Sequence, residues 1–292
     1  MAFPITGLRS VDLEVRDLPA AIDFYTQVWG LELSDQADGS AWLRGSGSDH
    51  HLLALHEGAA SAIRAMTFRV ADGIDPAELA ARVRDAGGTL TDAIPDPAGG
   101  VLSAARDAQG RTCRLVADDR RLEPLPCAPD RPERLAHVNF NSDDVARDTR
   151  LFTEALGFGL TDRSKMMAFV RTNDDHHSIV IADAPVNTLN HVAFQLPDWE
   201  SVMRASGRMI DHGYPIGWGP GRHGPGNNVF AYFVDPFGFV IEYTADVLQV
   251  SDDYRVGTPS DWIWPEGRTD QWGIAPPKST ACKAAQLAVP FA

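Results

Sequence analysis

The chain has 292 residues, 44% hydrophobic and 23% charged, a globular composition that argues against disorder. Its formal net charge of −14 argues against nucleic-acid or anionic-membrane partners, which need basic patches to displace counterions. Cys113, Cys127 and Cys282 stand far apart with no CxxC pair, and no apolar run approaches the ~20 residues of a membrane helix.

At the N-terminus, MAFPITGLRSVD lacks the basic-then-apolar pattern of a signal peptide, so a cytoplasmic location is expected. Residues 7–35, GLRSVDLEVRDLPAAIDFYTQVWGLELSD, predict an alternating strand, an Asp-led amphipathic helix ending at Gly30, and a further strand. GSDHHLLAL at 47–55 carries a histidine pair into the next apolar strand. AMTFRVAD at 65–72 opens a second strand–helix unit, whose helix ends near Gly87–Gly88 and whose closing hairpin turns at RDAQG, 106–110. The Pro-rich joint EPLPCAPDRPE follows at 123–133.

Beyond the joint the order repeats. RLAHVNFNSDDVARDTRLFTEALGFGLTD at 134–162 matches 7–35, with Gly157 as its helix end. NDDHHSIVI at 173–181 matches the earlier histidine pair, and HVAFQLPD at 191–198 matches AMTFRVAD. The second unit again has a helix ending near a glycine, Gly213, and a hairpin turn, VDPFG at 234–238. A unit of ~50–60 residues cannot bury a sheet face alone, so the modules should pair. The expected architecture is α+β: four βαβββ modules paired into two half-open barrel domains, residues 1–122 and 134–250, with a C-terminal tail at 251–292.

The repeat is an internal control. His137 lies in the strand LAHVNF, His191 opens HVAFQL, and Glu242 lies in FVIEYTAD; the matching first-half positions are Ser10, Ala65 and Arg114. All three ligand types are jointly absent from the first half. Two neutral imidazoles and a carboxylate suit octahedral Fe(II) or Mn(II) and leave positions open for substrate and oxygen. Spacings of 54 and 51 residues put the three on different strands of one barrel.

With these ligands in view, GPGRHGPGNNVFAYFVDPFGFVIEYTAD at 219–246 resembles the type I extradiol catechol dioxygenases of the vicinal oxygen chelate superfamily. The resemblance runs from residue 7 to about 275. It implies a silent first domain, a second domain holding Fe(II) or Mn(II), a catecholic substrate with O2 as co-substrate, and a homo-oligomer. It implies that His177, fourteen residues before His191, is the acid–base residue, with His176 its non-catalytic neighbour. Tyr232 would hydrogen-bond the substrate and His223 would close the cavity from its Gly-rich loop, while His50–His51 would be a relic of strand entry. Phe169, Trp218, Arg222 and Asn227 are the expected substrate contacts.

Members acting on carboxylated catechols carry an Arg just before the GPGRH segment, where this chain has Trp218. That departure favours a neutral or aromatic substituent in a pocket lined by Met166, Met167, Phe169 and Trp218. For Tyr232 and Glu242 to share a face, the hairpin between them needs an odd loop, with Gly238 left-handed or in a bulge. TPSDWIWPEGRTDQWGIAPP at 258–277 resembles a covering tail, with a subunit-interface anchor as the alternative for its three tryptophans; KSTACKAAQLAVPFA at 278–292 carries no legible function. The same fold hosts glyoxalase-like isomerases, hydroxyphenylpyruvate-type oxygenases and metal-free aromatic-binding proteins. Four protein ligands would mark the first, and loss of the triad the last.

Overall fold

Each of the four module helices begins on an aspartate whose carboxylate takes an otherwise orphaned backbone N–H. Asp17 accepts from Ala20, Asp75 from Ala77, Asp144 from Arg147 and Asp198 from Ser201, at 2.7–3.0 Å. The computed structural model of the protein describes residues 3–292, so Met1 and Ala2 of the N-terminal stretch lie outside the described residues.

In the first half the strands are β1 (Ile5–Val15), β2 (Glu32–Ala37), β3 (Ser40–Arg44), β4 (Leu53–Glu57), β5 (Ala62–Val70), β6 (Thr89–Thr91), β7 (Val101–Arg106) and β8 (Thr112–Ala117). Helix α1 (Leu18–Asp23) follows β1, and α2 (Pro76–Asp85) follows β5. The second half repeats them as β9 (Arg134–Ser142), β10 (Gly159–Arg163), β11 (Met167–Arg171), β12 (Ile179–Asp183), β13 (Thr188–Gln195), β14 (Trp218–Arg222), β15 (Val229–Val234) and β16 (Val240–Ala245). Its helices are α3 (Val145–Arg150) and α4 (Trp199–Asp211). The chain closes with α5 (Thr280–Ala285) and β17 (Val289–Pro290).

One strand order serves both halves: β2-β3-β4-β1-β5-β8-β7-β6, then β10-β11-β12-β9-β13-β16-β15-β14. Within each module the first and last strands run parallel, and the two modules of a half join through an antiparallel central pair, β1 with β5 and β9 with β13. The four βαβββ modules and their pairing are therefore as the repeat predicts. In both first modules the helix widens into a π-turn, Phe24–Val28 and Leu151–Ala155, before a glycine at positive φ.

Those π-turns lock the halves together. Trp29, fully buried, stacks on Tyr243 of β16 with ring centroids 3.6 Å apart, while Phe152 and Phe158 pack edge-on against Phe68 of β5. Arg208 of α4 donates to the carbonyls of Val28 and Trp29. Tyr25 donates to Asp235 Oδ2 at 2.7 Å, reaching the turn between β15 and β16. Among the described residues no helix is long and apolar enough to cross a membrane.

Asp235 gives this contact a pH signature. Burial pushes its carboxyl up to about 7, against the opposing pull of the Tyr25 hydroxyl and three backbone amides. A carboxyl raised on folding binds more protons in the folded state between its unfolded value near ~4 and its folded value. Its stabilising contribution is thus complete below pH ~4 and is lost as the pH climbs to about 7. Denaturant titrations of the wild type and Asp235→Asn across that window should show a fall with pH in the wild type that the variant lacks, a difference of a few kcal/mol.

Candidate metal centre

The register of three neighbouring strands builds the site. Ala193 of β13 pairs with His137 of β9 on one side and Glu242 of β16 on the other. His191, two residues earlier on β13, projects from the same face as Ala193, whose small side chain leaves that face open. His137 Nε2 and His191 Nε2 lie 3.0 Å apart, and Glu242 Oε2 is 3.3 Å from the first and 3.0 Å from the second.

These three buried atoms fit a divalent cation. Neighbouring ligands on an octahedral ion with bonds of ~2.1 Å stand ~3.0 Å apart, so the triangle has the size of one octahedral face. Glu242 Oε2 is buried without a hydrogen bond, a costly state for a carboxylate oxygen that nothing neutralises. Burial alone would raise the Glu242 carboxyl, yet His137 and His191 hold it well below the usual carboxylate range. Burial also takes His191 down to about 4, against the pull of Glu242. An ionised carboxylate beside neutral imidazole is the donor set a cation takes.

Outer groups fix these ligands. His191 Nδ1 lies 2.9 Å from Asn190 Oδ1, an acceptor, which puts the proton on Nδ1 and turns the Nε2 lone pair to the centre. Asn190 Oδ1 also accepts from Gln286 Nε2 at 2.6 Å, and Asn228 Nδ2 approaches Glu242 Oε1 at 3.4 Å.

Above the triad is a cavity of about 300 Å³ whose lining includes His177, His223 and Tyr232. The His177 ring centroid is 4.4 Å from that of His137, and burial, reinforced by His137 and His176, lowers its pKa well below the ordinary value. His177 Nδ1 meets His176 Nδ1 at 3.0 Å, and His176 Nε2 meets Asp162 Oδ2 at 2.8 Å. Gly226, at φ +81°, lets its loop close on His177: a Cβ there would stand 2.7 Å from the ring. Tyr232 pairs directly with Glu242 across the hairpin and shares a 3.0 Å hydrogen bond with His223. The register is unbroken and Gly238 sits at φ +89°, so the left-handed residue suffices without a bulge. His223 stacks on Phe230 at 3.9 Å, and burial takes its imidazole down to about 3.

Of the residues singled out in the sequence, Phe169, Trp218, Met166 and Met167 line the cavity, whereas Arg222 and Asn227 do not. Arg222 instead braces its loop, donating to Asn227 O at 2.6 Å and Asp246 at 2.8 Å, with Trp272 against its guanidinium. Asn227 Oδ1 accepts from Gln271, and it is the next residue, Asn228, that faces the site. His50 and His51 are both fully buried away from this site, and His51 joins Arg9 and Asp96 in an ionic cluster. Sequence reasoning missed Asp162, Asn190, Lys278 and Gln286. Lys278 and Gln286 belong to the stretch read as having no function, and both line the cavity. A larger groove of about 490 Å³ runs between the halves, lined by charges such as Arg111, Asp107 and Asp148 that pair with one another.

The model of the Glyoxalase/Bleomycin resistance protein/Dioxygenase superfamily matches residues 7–114 and 134–243, and the chain belongs to that superfamily. It is 35% identical to metapyrocatechase 2 of Cupriavidus necator over 139 residues, 47% of this chain and 41% of that protein. The match thus spans less than half of that curated relative. A Mn(II)-bound glyoxalase from Novosphingobium aromaticivorans superposes with a TM-score of 0.88 at 31% identity, covering 96% of this chain and 94% of that one. A variant of homoprotocatechuate 2,3-dioxygenase from B. fuscum superposes with a TM-score of 0.82 at 25% identity, covering 93% and 79%.

Equilibrium dialysis with Mn(II) or Fe(II) should show one ion per chain and a higher melting temperature. Glu242→Ala and His137→Ala should each abolish the retained ion while the far-ultraviolet spectrum stays unchanged.

Proposed function

We propose that the protein is an extradiol ring-cleaving dioxygenase that inserts both atoms of O2 into a catechol, with Fe(II), or alternatively Mn(II), on His137, His191 and Glu242. The observation that carries this reading is the open three-ligand face beneath His177, Tyr232 and His223. Three ligands leave coordination positions for a chelating substrate and oxygen, which a four-ligand isomerase site would not. The bound metal would supply a shared coordination sphere in which catechol and O2, otherwise slow to react, are held together.

The side chains divide the remaining work. His177, kept neutral by burial, accepts a proton from a substrate hydroxyl and returns it to oxygen as the ring opens. Asp162 holds His176, and His176 orients His177, so the relay sets which nitrogen carries the proton. Burial, with Glu242 adding to it, raises the Tyr232 phenol well above its ordinary value and keeps it a hydrogen-bond donor to the substrate oxygen. His223 caps the cavity from its loop, and Trp262 and Trp264 close it from the tail, excluding water.

The reading assigns chemistry to residues 134–250, a silent partner role to residues 1–122, and a covering role to the tail, 251–292. It also carries a cytoplasmic homo-oligomer, which three unpaired cysteines support as to compartment.

The test is oxygen uptake with absorbance scanning, on protein reconstituted anaerobically with Fe(II), against unsubstituted, alkyl, aryl and carboxylated catechols. One O2 consumed per yellow ring-opened product, with Glu242→Ala silent, is the expected result. If the metal binds but no catechol consumes O2, the reading fails and isomerase substrates come next. His177→Asn should lower kcat by roughly 10²–10⁴-fold, the usual share of a positioned acid–base group, without loss of bound metal. Asp162→Asn should alter the pH profile of kcat while leaving KM close to the wild-type value.

A further inference from the structure

The cavity over the metal centre differs in charge from the protein around it. Among the described residues its lining includes Lys165 and Lys278 but no aspartate or glutamate, in a chain of net charge −14. Lys165 stands exposed at the rim, whereas Lys278 is drawn inside. Ser279 N–H donates to Gly217 O at 2.8 Å, which docks this part of the tail on the approach to β14. The Lys278 ammonium then rests 4.5 Å from the centre of the Trp218 ring and 5.7 Å from that of Tyr232.

An ammonium has three hydrogens to donate. Gln286 Oε1 takes one, at 2.6 Å, and the Trp218 face offers a diffuse attraction. Among the described residues no carboxylate lies within the 4.0 Å of an ion pair to Lys278, whereas Arg69, Arg111 and Arg114, also drawn into the interior, each have one. Glu242 on the cavity floor acts on Lys278 only from beyond ion-pair distance, and a half-buried cation without a direct ion-pair partner is a costly arrangement that an arriving anion would relieve.

We propose that Lys278 is a specificity-determining residue that receives a carboxylate carried on the substrate's ring, with Lys165 adding attraction at the rim. Trp218 does not leave the cavity without a cation: it supplies the aromatic face on which a cation from the tail is positioned. The catechol part of this substrate rests on the ring-cleavage reading; the anion site rests on the charge and geometry of the cavity.

The experiment measures binding and turnover separately. Binding is followed by calorimetry on Mn(II)-loaded full-length protein without oxygen, comparing 3,4-dihydroxybenzoate and 3,4-dihydroxyphenylacetate with their uncharged primary amides. The wild type should hold at least one acid roughly 10–100-fold more tightly than its amide, the usual value of a charge-assisted hydrogen bond. Lys278→Met should remove that preference, Lys278→Arg should keep most of it, and both should melt near the wild-type temperature. Equal affinity for acid and amide in the wild type overturns the proposal, as does a Lys278→Met variant that weakens both alike. Oxygen uptake on the same compounds keeps the two ideas apart. An acid preference without O2 consumption leaves the anion site standing and sinks ring cleavage, whereas O2 consumption without the preference does the reverse.

Discussion

Ala193 has His137 across one strand boundary and Glu242 across the other, with His191 one pleat away on its own strand. All of the proposed chemistry depends on this register. A slip of one residue in either pairing would turn a ligand to the opposite face of the sheet, because side chains alternate along strands. The register is protected by apolar neighbours that point the other way: Val138, Val192 and Ile241 are fully buried in the shared core. The packing that makes the sheet stable therefore also aims three electron-pair donors at one point.

The first half shows what the same frame does with different residues. Asp12 pairs with Ala65, Ser10 with Thr67, and Thr67 with Arg114, which is the second-half pairing position for position. Here the cation is built in. Arg114 sits 3.0 Å from Asp12 and 3.5 Å from Asp96, and His56 meets Asp12 at 3.1 Å. One half satisfies its interior with its own guanidinium and carboxylates; the other leaves a carboxylate and two imidazoles facing each other. The histidine pairs differ in the same way. His176 is anchored by buried Asp162, whereas the matching Asp35 is exposed and the His50 Nε2 has no partner.

The tail completes the site from outside the modules. Gly257 donates to Asp162 Oδ1 at 2.8 Å, Gln286 supports Asn190 behind His191, and β17 pairs with β13. The first half contributes through packing, since Trp29 lies flat on Tyr243, the residue after Glu242. A site on one sheet is thus held by the other sheet and by the tail, which restricts the motion of the three candidate ligands.

Much of this was legible in the linear sequence because repeats and periodicity are local. Period-two strands, aspartates before helices and glycines after them defined the modules, and comparison of one half with the other singled out His137, His191 and Glu242. Tertiary structure alone decided which residues meet over long separations. Asp162 looked like any polar strand residue, Asn227 and Asn228 were indistinguishable neighbours, and Lys278 stood in a stretch without motif. The GPGRH segment by itself points Arg222 toward the substrate, whereas Asn227 and Asp246 hold it elsewhere. A side chain's role in a site follows from where it points and what charge surrounds it. Both are set by packing between segments distant in sequence, which local spacing does not encode.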